Sequence, residues 1–305
     1  MKNQIIIIAM LFISGSYFSQ YNQNAAKNVI TEEVEVVYYD KIEKKSKTRI
    51  VEKEVESDNY GNAKGNQYDL AVDGAFKGQT IVVLDFCEDG YSFDTAKDAL
   101  AEKGFSVYRW SKKAPSPEDL KKGLEKACQL WVISGHNRYL NNAHLSVIKD
   151  FFNSGKGVYI WGDNKPYYAD ANFISNALIG VQMNGNLRGD KVVGLQMKDK
   201  EAGVTPNHLI TTGLQQIYEG ITIATIPNHK DLTPIIYGSA NNMVTAVYEK
   251  DGKRLILDGG FTRLFIKWDS AGTGRYVKNA AAWLVNYERF GDDVVSNDVL
   301  EEKEK

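Results

Sequence analysis

The sequence predicts an α/β fold built on a doubly wound, mostly parallel sheet with helices on both faces. Runs such as Thr80–Phe86 and Val158–Trp161 are apolar and β-branched without alternation, which is typical of strands buried on both faces. Segments between such runs carry apolar residues at helical spacing, as in 142–153. Strand and helix patterns alternate four times, and this alternation is the signature of a parallel sheet with crossover helices.

The first half of the chain supplies four strand–helix units. The predicted strands are Thr80–Phe86, Phe105–Trp110, Leu130–Ser134 and Val158–Trp161, and a helix follows each of them. The second helix has the clearest start, with Ser116 as cap residue, Pro117 at the first helical position and two acids behind it. The fourth helix is predicted to begin near Asp170.

The second half changes to shorter strands with many turns. The predicted strands there are Val192–Met197, Ile221–Ala224, Pro234–Tyr237, Met243–Tyr248 and Leu255–Leu257. Asp251-Gly252 indicates a hairpin between the last two. A final amphipathic helix is predicted from Thr273 to about Tyr287.

The N-terminus has the features of a secretory signal peptide. Lys2 precedes the apolar run Ile5–Ile13, which is followed by small and polar residues and is too short to span a bilayer. We therefore expect an exported protein, periplasmic or extracellular, without a stable membrane span after cleavage. The predicted organisation is a signal peptide at 1–19, a charged and partly disordered arm and linker at 20–78, the α/β domain at 79–290, and an acidic tail at 291–305.

Composition excludes several classes of function. The 305 residues carry a formal net charge of −2, which argues against a nucleic-acid partner. The two cysteines, Cys87 and Cys128, are too few for a disulfide framework or a cysteine-rich metal site. Cys87 ends one strand and Cys128 precedes another, so parallel strands place them at opposite sheet edges, about 20 Å apart. We predict that they do not form a disulfide, and the sequence indicates no cofactor and no metal.

Three segments resemble one known superfamily. They are FFNSGKGVYIWGD at 151–163, HLITTGLQQIYEG at 208–220 and LDGGFTR at 257–263. Together with the order of elements over Gln79–Glu288, they resemble the class I glutamine-amidotransferase-like superfamily. The resemblance is strongest to its noncatalytic or uncharacterised branches, such as trehalose-utilisation-type domains and the related domain of gliding-motility and intraflagellar-transport proteins. It implies a flavodoxin-like, class I amidotransferase-like sheet.

The resemblance also implies that amidotransferase chemistry is absent. Catalytic members of the superfamily place a cysteine on a sharp turn directly after the strand that corresponds to Val158–Ile160. This chain has Trp161-Gly162-Asp163 there, with neither a thiol nor a hydroxyl nucleophile.

Polar residues follow several strands at their carboxyl ends, where open α/β sheets bind ligands. The predicted ligand-binding residues are Asp85, Glu88, Asp89, His136, Asn137, Arg138, Asp163, Asn164 and Arg263. The leading interpretation is an exported, noncatalytic amidotransferase-like domain that binds a small molecule, a glycan or a protein partner at this edge.

Several alternatives remain open. Cys87, His136 and Asp163 could form the nucleophile, base and orienting carboxylate of a cysteine hydrolase, with the start of the first helix favouring the thiolate. The four acids among the predicted site residues could bind a hard cation, although no ordered loop motif is present. Trp161 and Tyr167–Tyr168 could line a carbohydrate pocket. The chain could instead be a structural cell-surface component that docks through its charged N-terminal arm.

Overall fold

An eight-stranded mixed sheet forms the centre of the protein in this computed structural model. The structure describes residues 21–88, 90–268 and 271–303, without the side chains of 301–303. The strands are β1 Thr31–Asp40, β2 Lys45–Glu54, β3 Thr80–Asp85, β4 Ser106–Ser111, β5 Gln129–Ile133, β6 Gly157–Trp161, β7 Asn184–Arg188, β8 Val192–Val193, β9 Gly203–Val204, β10 Ile217–Tyr218, β11 Thr222–Thr225, β12 Leu232–Tyr237, β13 Met243–Lys250 and β14 Lys253–Asp258. The helices are α1 Asp94–Glu102, α2 Pro117–Glu125, α3 Asn142–Asn153, α4 Ala169–Ile179, α5 Thr273–Leu284, α6 Tyr287–Phe290 and α7 Asn297–Lys303. The predicted signal peptide lies outside the described residues.

The sheet confirms the predicted fold class. Its strand order is β4-β3-β5-β6-β14-β13-β12-β9, and the first five strands are mutually parallel. The remaining three strands extend the sheet in antiparallel pairs. The parallel part has the flavodoxin-like order, in which the direction of winding reverses between β3 and β5. The loops after these two strands therefore border the topological switch point.

Burial on both faces explains why the parallel strands lack alternation. Every residue of β5 and β6 is buried. On one face α1 and α5 pack together over the sheet, and on the other α2, α3 and α4 form a continuous layer. The predicted start of α2 is confirmed, because the Ser116 side chain accepts the Asp119 amide and Pro117 stands at the first helical position.

The C-terminal half is partly as predicted. Asp251 and Gly252 form the turn between β13 and β14, both with positive φ, as a tight hairpin requires. However, β14 is not a peripheral strand, because it pairs in parallel with β6 and belongs to the core of the sheet. The last predicted helix ends at Leu284, and Asn286 in the left-handed conformation separates it from α6.

The prediction of a charged, partly disordered arm and linker at 20–78 differs from the structure in two ways. Residues 31–54 form the regular β1–β2 hairpin. Leu70, Ala75 and Phe76 are fully buried in the core, so the packed domain begins before residue 79. The many lysines and glutamates of the hairpin resemble a disordered segment because both of its faces are exposed to solvent. The acidic tail also contributes, since Val294 and Val295 are buried.

Buried charge ties the segment before β3 to two helices. Asp69 is buried and forms ion pairs of 2.8–2.9 Å with Lys103, Arg275 and Lys278. Burial alone would raise the pKa of Asp69, but the three cations outweigh it and lower the pKa. Asp69 is therefore held ionised between α1 and α5. Among the described residues, no helix is long and apolar enough to cross a membrane.

Candidate functional site

Four polar side chains converge at the switch point, on the loops after β3 and β5. Glu88 Oε2 lies 3.0 Å from His136 Nδ1, and Glu88 Oε1 accepts hydrogen bonds from Tyr139 Oη (2.5 Å) and Asn137 Nδ2 (3.2 Å). The Tyr139 hydrogen bond is the main reason that the pKa of Glu88 is lowered. We call Glu88, His136, Asn137 and Tyr139 the switch-point cluster.

The orientation of His136 is fixed from both sides. Its Nδ1 faces the Glu88 carboxylate, and its Nε2 lies 2.8 Å from Asn137 Nδ2. A carboxylate accepts only, and an amide nitrogen donates only, so the neutral ring that satisfies both carries its proton on Nδ1. The His136 side chain is 40% exposed, and its ring meets the Tyr167 ring edge to face. An exposed imidazole, held in one tautomer beside a carboxylate, is suited to binding a polar ligand.

Asp170, at the start of α4, holds the loop that carries His136. Its carboxylate accepts the backbone amides of Tyr139 (3.0 Å) and Leu140 (2.9 Å). Burial raises the pKa of Asp170, although these two hydrogen bonds favour the ionised form. Ser134 Oγ in turn accepts the Asp170 amide at 3.0 Å. The site loop is thus fixed by buried groups behind it.

The ends of β3 and β5 approach so closely that only glycine fits between them. A Cβ on Gly135 would overlap the backbone carbonyl of Phe86. The Phe86 ring, which is fully buried, stacks on Tyr139 at a centroid distance of 5.1 Å. This contact sets the position of the tyrosine hydroxyl against Glu88.

The predicted Cys–His–Asp arrangement is not assembled as expected. Asp163 Oδ1 accepts the Asn164 amide (2.7 Å) and the Thr222 hydroxyl (3.2 Å), and Glu88 occupies the place beside His136 that Asp163 was expected to take. Cys87 is buried, and α1 begins only at Asp94, so the thiol is not in the first turn of a helix. Cys87 and Cys128 form no disulfide, as predicted.

Asp163 is nonetheless unusual among the carboxyl groups of the sheet edge. It is only 4% exposed, and burial raises its pKa to about 7. Its two hydrogen bonds lower the pKa by less than burial raises it. Asn164, its neighbour, donates a 3.0 Å hydrogen bond from Nδ2 to Asn186 Oδ1 in β7.

Arg263 belongs to the core, which contradicts its prediction as a ligand-binding residue. Its guanidinium is fully buried and bonds to Asp258 Oδ2 (2.8 Å), Thr245 Oγ1 (3.2 Å) and the Glu219 carbonyl (2.8 Å). Asp258 also accepts hydroxyl hydrogen bonds from two buried tyrosines, Tyr159 and Tyr276. Sequence reasoning placed Arg263 correctly near the end of β14 but could not see that its side chain turns inward.

Other predicted site residues separate from the switch-point cluster. Asp85 is buried and binds the Cys87 amide (3.1 Å) and Arg109 (3.4 Å), and burial raises its pKa. The Arg138 guanidinium lies over the Phe173 ring at 4.8 Å. Asp89 lies outside the described residues.

Two further expectations were a carbohydrate pocket lined by Trp161 and a hard-cation site among the acids of the sheet edge. Trp161 is fully buried against Tyr159 and does not line an open carbohydrate pocket. Within the described ranges, no group of three or more His, Cys, Asp or Glu side chains could hold a metal ion.

Sequence reasoning missed Tyr139 and Asp170, although Tyr139 lies in the same predicted loop as His136.

Comparisons with known proteins add similarity in fold only. No family model and no curated protein matches the sequence. Among solved structures, a Parabacteroides merdae protein described as ThuA-like is 11% identical over 68% of this chain and 90% of its own, with a TM-score of 0.44. A Thermoplasma acidophilum protein described as a GMP synthase subunit is 11% identical over 70% and 96%, with a TM-score of 0.42. Thermotoga maritima PurLQS is 12% identical over 68% and 99%, with a TM-score of 0.41. Likenesses at this level assign no activity.

Proposed function

We propose that this chain is an exported, noncatalytic amidotransferase-like domain that binds a small, hydroxyl-rich ligand of the carbohydrate class at the switch-point cluster. The observation that carries the proposal is the convergence of Glu88, His136, Asn137 and Tyr139 at the winding reversal of the sheet. Open α/β sheets bind their ligands at this place. A carboxylate, an amide and an imidazole offer the acceptors and donors that sugar hydroxyls need, and Tyr139 and Tyr167 add ring surface.

The absence of amidotransferase chemistry is supported by the turn after β6. Trp161 is buried there, the Gly162 amide donates to the Asp258 carbonyl (2.8 Å), and Asp163 points to Thr222. None of these turn residues supplies the thiol or a hydroxyl nucleophile in its place. Export is supported by the N-terminal sequence alone, in which Lys2 precedes the apolar run Ile5–Ile13.

The proposal is tested by ligand-observed NMR with a panel of mono- and disaccharides. We expect saturation transfer to at least one sugar with the natural chain, and its loss with Glu88→Gln and with His136→Ala. His229→Ala is the matched control, because His229 lies in the separate loop before β12. Binding that survives both site substitutions, or no binding to any sugar in the panel, contradicts the assignment of ligand class.

The Glu88–His136 pair also favours a second candidate, a cysteine hydrolase. A carboxylate on Nδ1 with Nε2 as the base is the arrangement that activates a nucleophile in acyl-transfer enzymes, and here Nε2 would have to exchange its 2.8 Å contact with Asn137 Nδ2 for the nucleophile. In this version Glu88 orients the ring, and Cys87, the residue before it in the chain, is the nucleophile. The role given to Asp163 in the sequence-based hypothesis then passes to Glu88.

Alkylation of Cys87 between pH 5 and 9, followed by mass spectrometry, separates the two candidates. A hydrolase requires a thiolate that reacts well below the ordinary thiol pKa of about 8.5 and that loses this reactivity in His136→Ala. Slow labelling that His136→Ala does not change removes the hydrolase and leaves the binding domain. Cys128 is an internal reference, since burial raises the pKa of its thiol to about 12.

A further inference from the structure

The β1–β2 hairpin is a two-stranded ribbon that nothing covers in the described part of the chain. Its strands pair from Thr31 opposite Glu54 to Asp40 opposite Lys45, and within the described residues neither strand bonds to a third. Both faces are largely exposed along their length. An isolated two-stranded ribbon is marginally stable in water, and a layer packed on one face would stabilise it.

One face of the ribbon is acidic near its base. Residues that pair across the strands share a face, and this face carries Glu33, Glu35, Glu52 and Glu54. Glu33 lies directly opposite Glu52, and like charges in that position are destabilising. None of the four carboxylates forms an ion pair with another described residue. Lys27 lies near Glu33 and Glu52 in a surface hollow at the base of the ribbon, but its Nζ donates to Asn24 Oδ1 at 3.2 Å.

The same face is uncharged near the tip, where Thr48 and Ser46 stand opposite two large apolar residues. Val37, Tyr39 and Ile50 lie there, with relative exposures of 67%, 60% and 68%. Contiguous apolar surface of this kind, next to a block of charge, is typical of interaction sites. We call this surface, with its four basal glutamates, the acidic face.

The opposite surface has the reverse arrangement. Toward its tip this surface carries Lys45, Lys47 and Arg49 against one acid, Asp40, with Val36 and Tyr38 between them. Val34 and Val51 face each other nearer the base, where Glu32 opposite Lys53 adds no net charge. We call this surface the basic face. Thus the net negative charge of the acidic face lies near the base of the ribbon, and the net positive charge of the basic face lies near its tip.

We propose that the ribbon is a self-association surface, on which the acidic face of one copy packs against the basic face of a second copy with the ribbons antiparallel. The basal glutamates of one copy then lie against the basic tip of the other. The apolar tip of the first copy lies against the basal valines of the second. Parallel stacking would instead place charge on apolar surface at both ends. Because the two surfaces differ, the contact is heterologous and continues from copy to copy.

The expected contact is weak. Ten residues at about 3.4 Å each, and a width of about 10 Å, give about 340 Å² per copy, well below the area of a stable interface. The basic tip already pairs with acids of the hairpin itself, as in the exposed Lys45–Glu43 ion pair (2.7 Å), and exposed pairs of this kind are worth little and can exchange. The association should therefore require high protein concentration and low salt.

Sedimentation velocity of the full chain between about 10 µM and 1 mM tests the proposal. We expect the average mass to rise about twofold or more at low salt and to return to the monomer at 1 M salt, where the screening length is about 3 Å. The Glu33→Lys/Glu52→Lys chain should remain monomeric. The matched control, Asp98→Lys/Glu125→Lys, makes the same charge change on exposed positions of α1 and α2 and should behave as the natural chain.

Mixing two variants makes the test specific. The Lys45→Glu/Arg49→Glu chain should also be monomeric, because its basic tip has become acidic. An equimolar mixture of this chain with Glu33→Lys/Glu52→Lys should associate again, since each reversed surface now meets a complementary one. A natural chain that stays monomeric throughout overturns the proposal. Association that persists in both variants, or that mixing does not restore, also overturns it.

Discussion

Replacing Asp163 by asparagine should stabilise the protein at neutral and alkaline pH. Burial raises the pKa of Asp163 from its ordinary value of 3.8 to about 7. Each pKa unit corresponds to 1.36 kcal/mol, so keeping this carboxylate ionised in the folded protein costs about 4 kcal/mol. Asparagine has the same shape, and its amide oxygen can accept the same hydrogen bonds from Asn164 and Thr222.

The sign of the effect follows from where the proton is bound. Between pH 3.8 and about 7 the unfolded chain loses the Asp163 proton, whereas the folded protein retains it. The folded state then binds more protons, so its stability falls as the pH rises, and the fall ends above about pH 7. An asparagine side chain at this position would not titrate. The stability advantage of Asp163→Asn should thus grow from near zero at pH 4 to about 4 kcal/mol at pH 8.

Urea unfolding at four pH values from 4 to 8.5, followed by tryptophan fluorescence, measures this difference. Asp98→Asn is the control, because Asp98 is exposed on α1. The free energy of unfolding of the mutant minus that of the natural chain is compared at each pH. This difference cancels the contributions of other buried acids, including Asp85 and Asp170, whose pKa values burial also raises. If the free energies of unfolding of Asp163→Asn and the natural chain differ by the same amount at every pH in this range, Asp163 does not have a raised pKa in the folded protein.

Three further substitutions probe the groups behind the site. Arg263→Met leaves the Asp258 carboxylate buried without its cation and should cost about 3–5 kcal/mol in urea unfolding, and a loss below 1 kcal/mol would contradict the assigned role. Gly135→Ala forces a methyl group against the Phe86 carbonyl and should cost about 1–3 kcal/mol, whereas unchanged stability would show that β3 and β5 can separate freely. Asp170→Ala removes the acceptor of two loop amides and should cost about 1–3 kcal/mol; unchanged hydrogen exchange at these amides would count against it.

The parallel strands were predictable because their signal is local. A run such as β5 or β6 is apolar at every position, and both faces of a strand in the middle of a doubly wound sheet are covered by helices. The start of α2 was predictable for a similar reason, since Ser116 and Pro117 act on the backbone of their own first turn.

The hairpin was not predicted because neither of its strands has a face buried in the core. Its lysines and glutamates alternate between two exposed surfaces, and a solvated strand of this kind has the composition of a disordered segment. The early core residues around Leu70 and Phe76 were missed because they are few and are separated by polar residues.

The candidate site was predicted as a region but not as a set of contacts. Strand ends identified the loops of Glu88 and His136, because parallel strands bring their carboxyl ends to one edge. The residue beside His136 could not be identified in this way. Glu88 and Asp163 are both acids at the ends of the two strands that flank β5, so strand order does not choose between them. Only the side-chain geometry, with Glu88 Oε2 at 3.0 Å from His136 Nδ1, identifies Glu88.

The sequence by itself determined the fold class, the strand–helix alternation and the edge at which polar residues gather, since these depend on residue type and spacing along the chain. The tertiary structure alone decided that β14 joins the parallel sheet, that Arg263 turns into the core, and that Glu88 pairs with His136. Spacing determines which face of an element is apolar. Contact between side chains from distant elements depends on strand order, register and close packing, which many residues determine together.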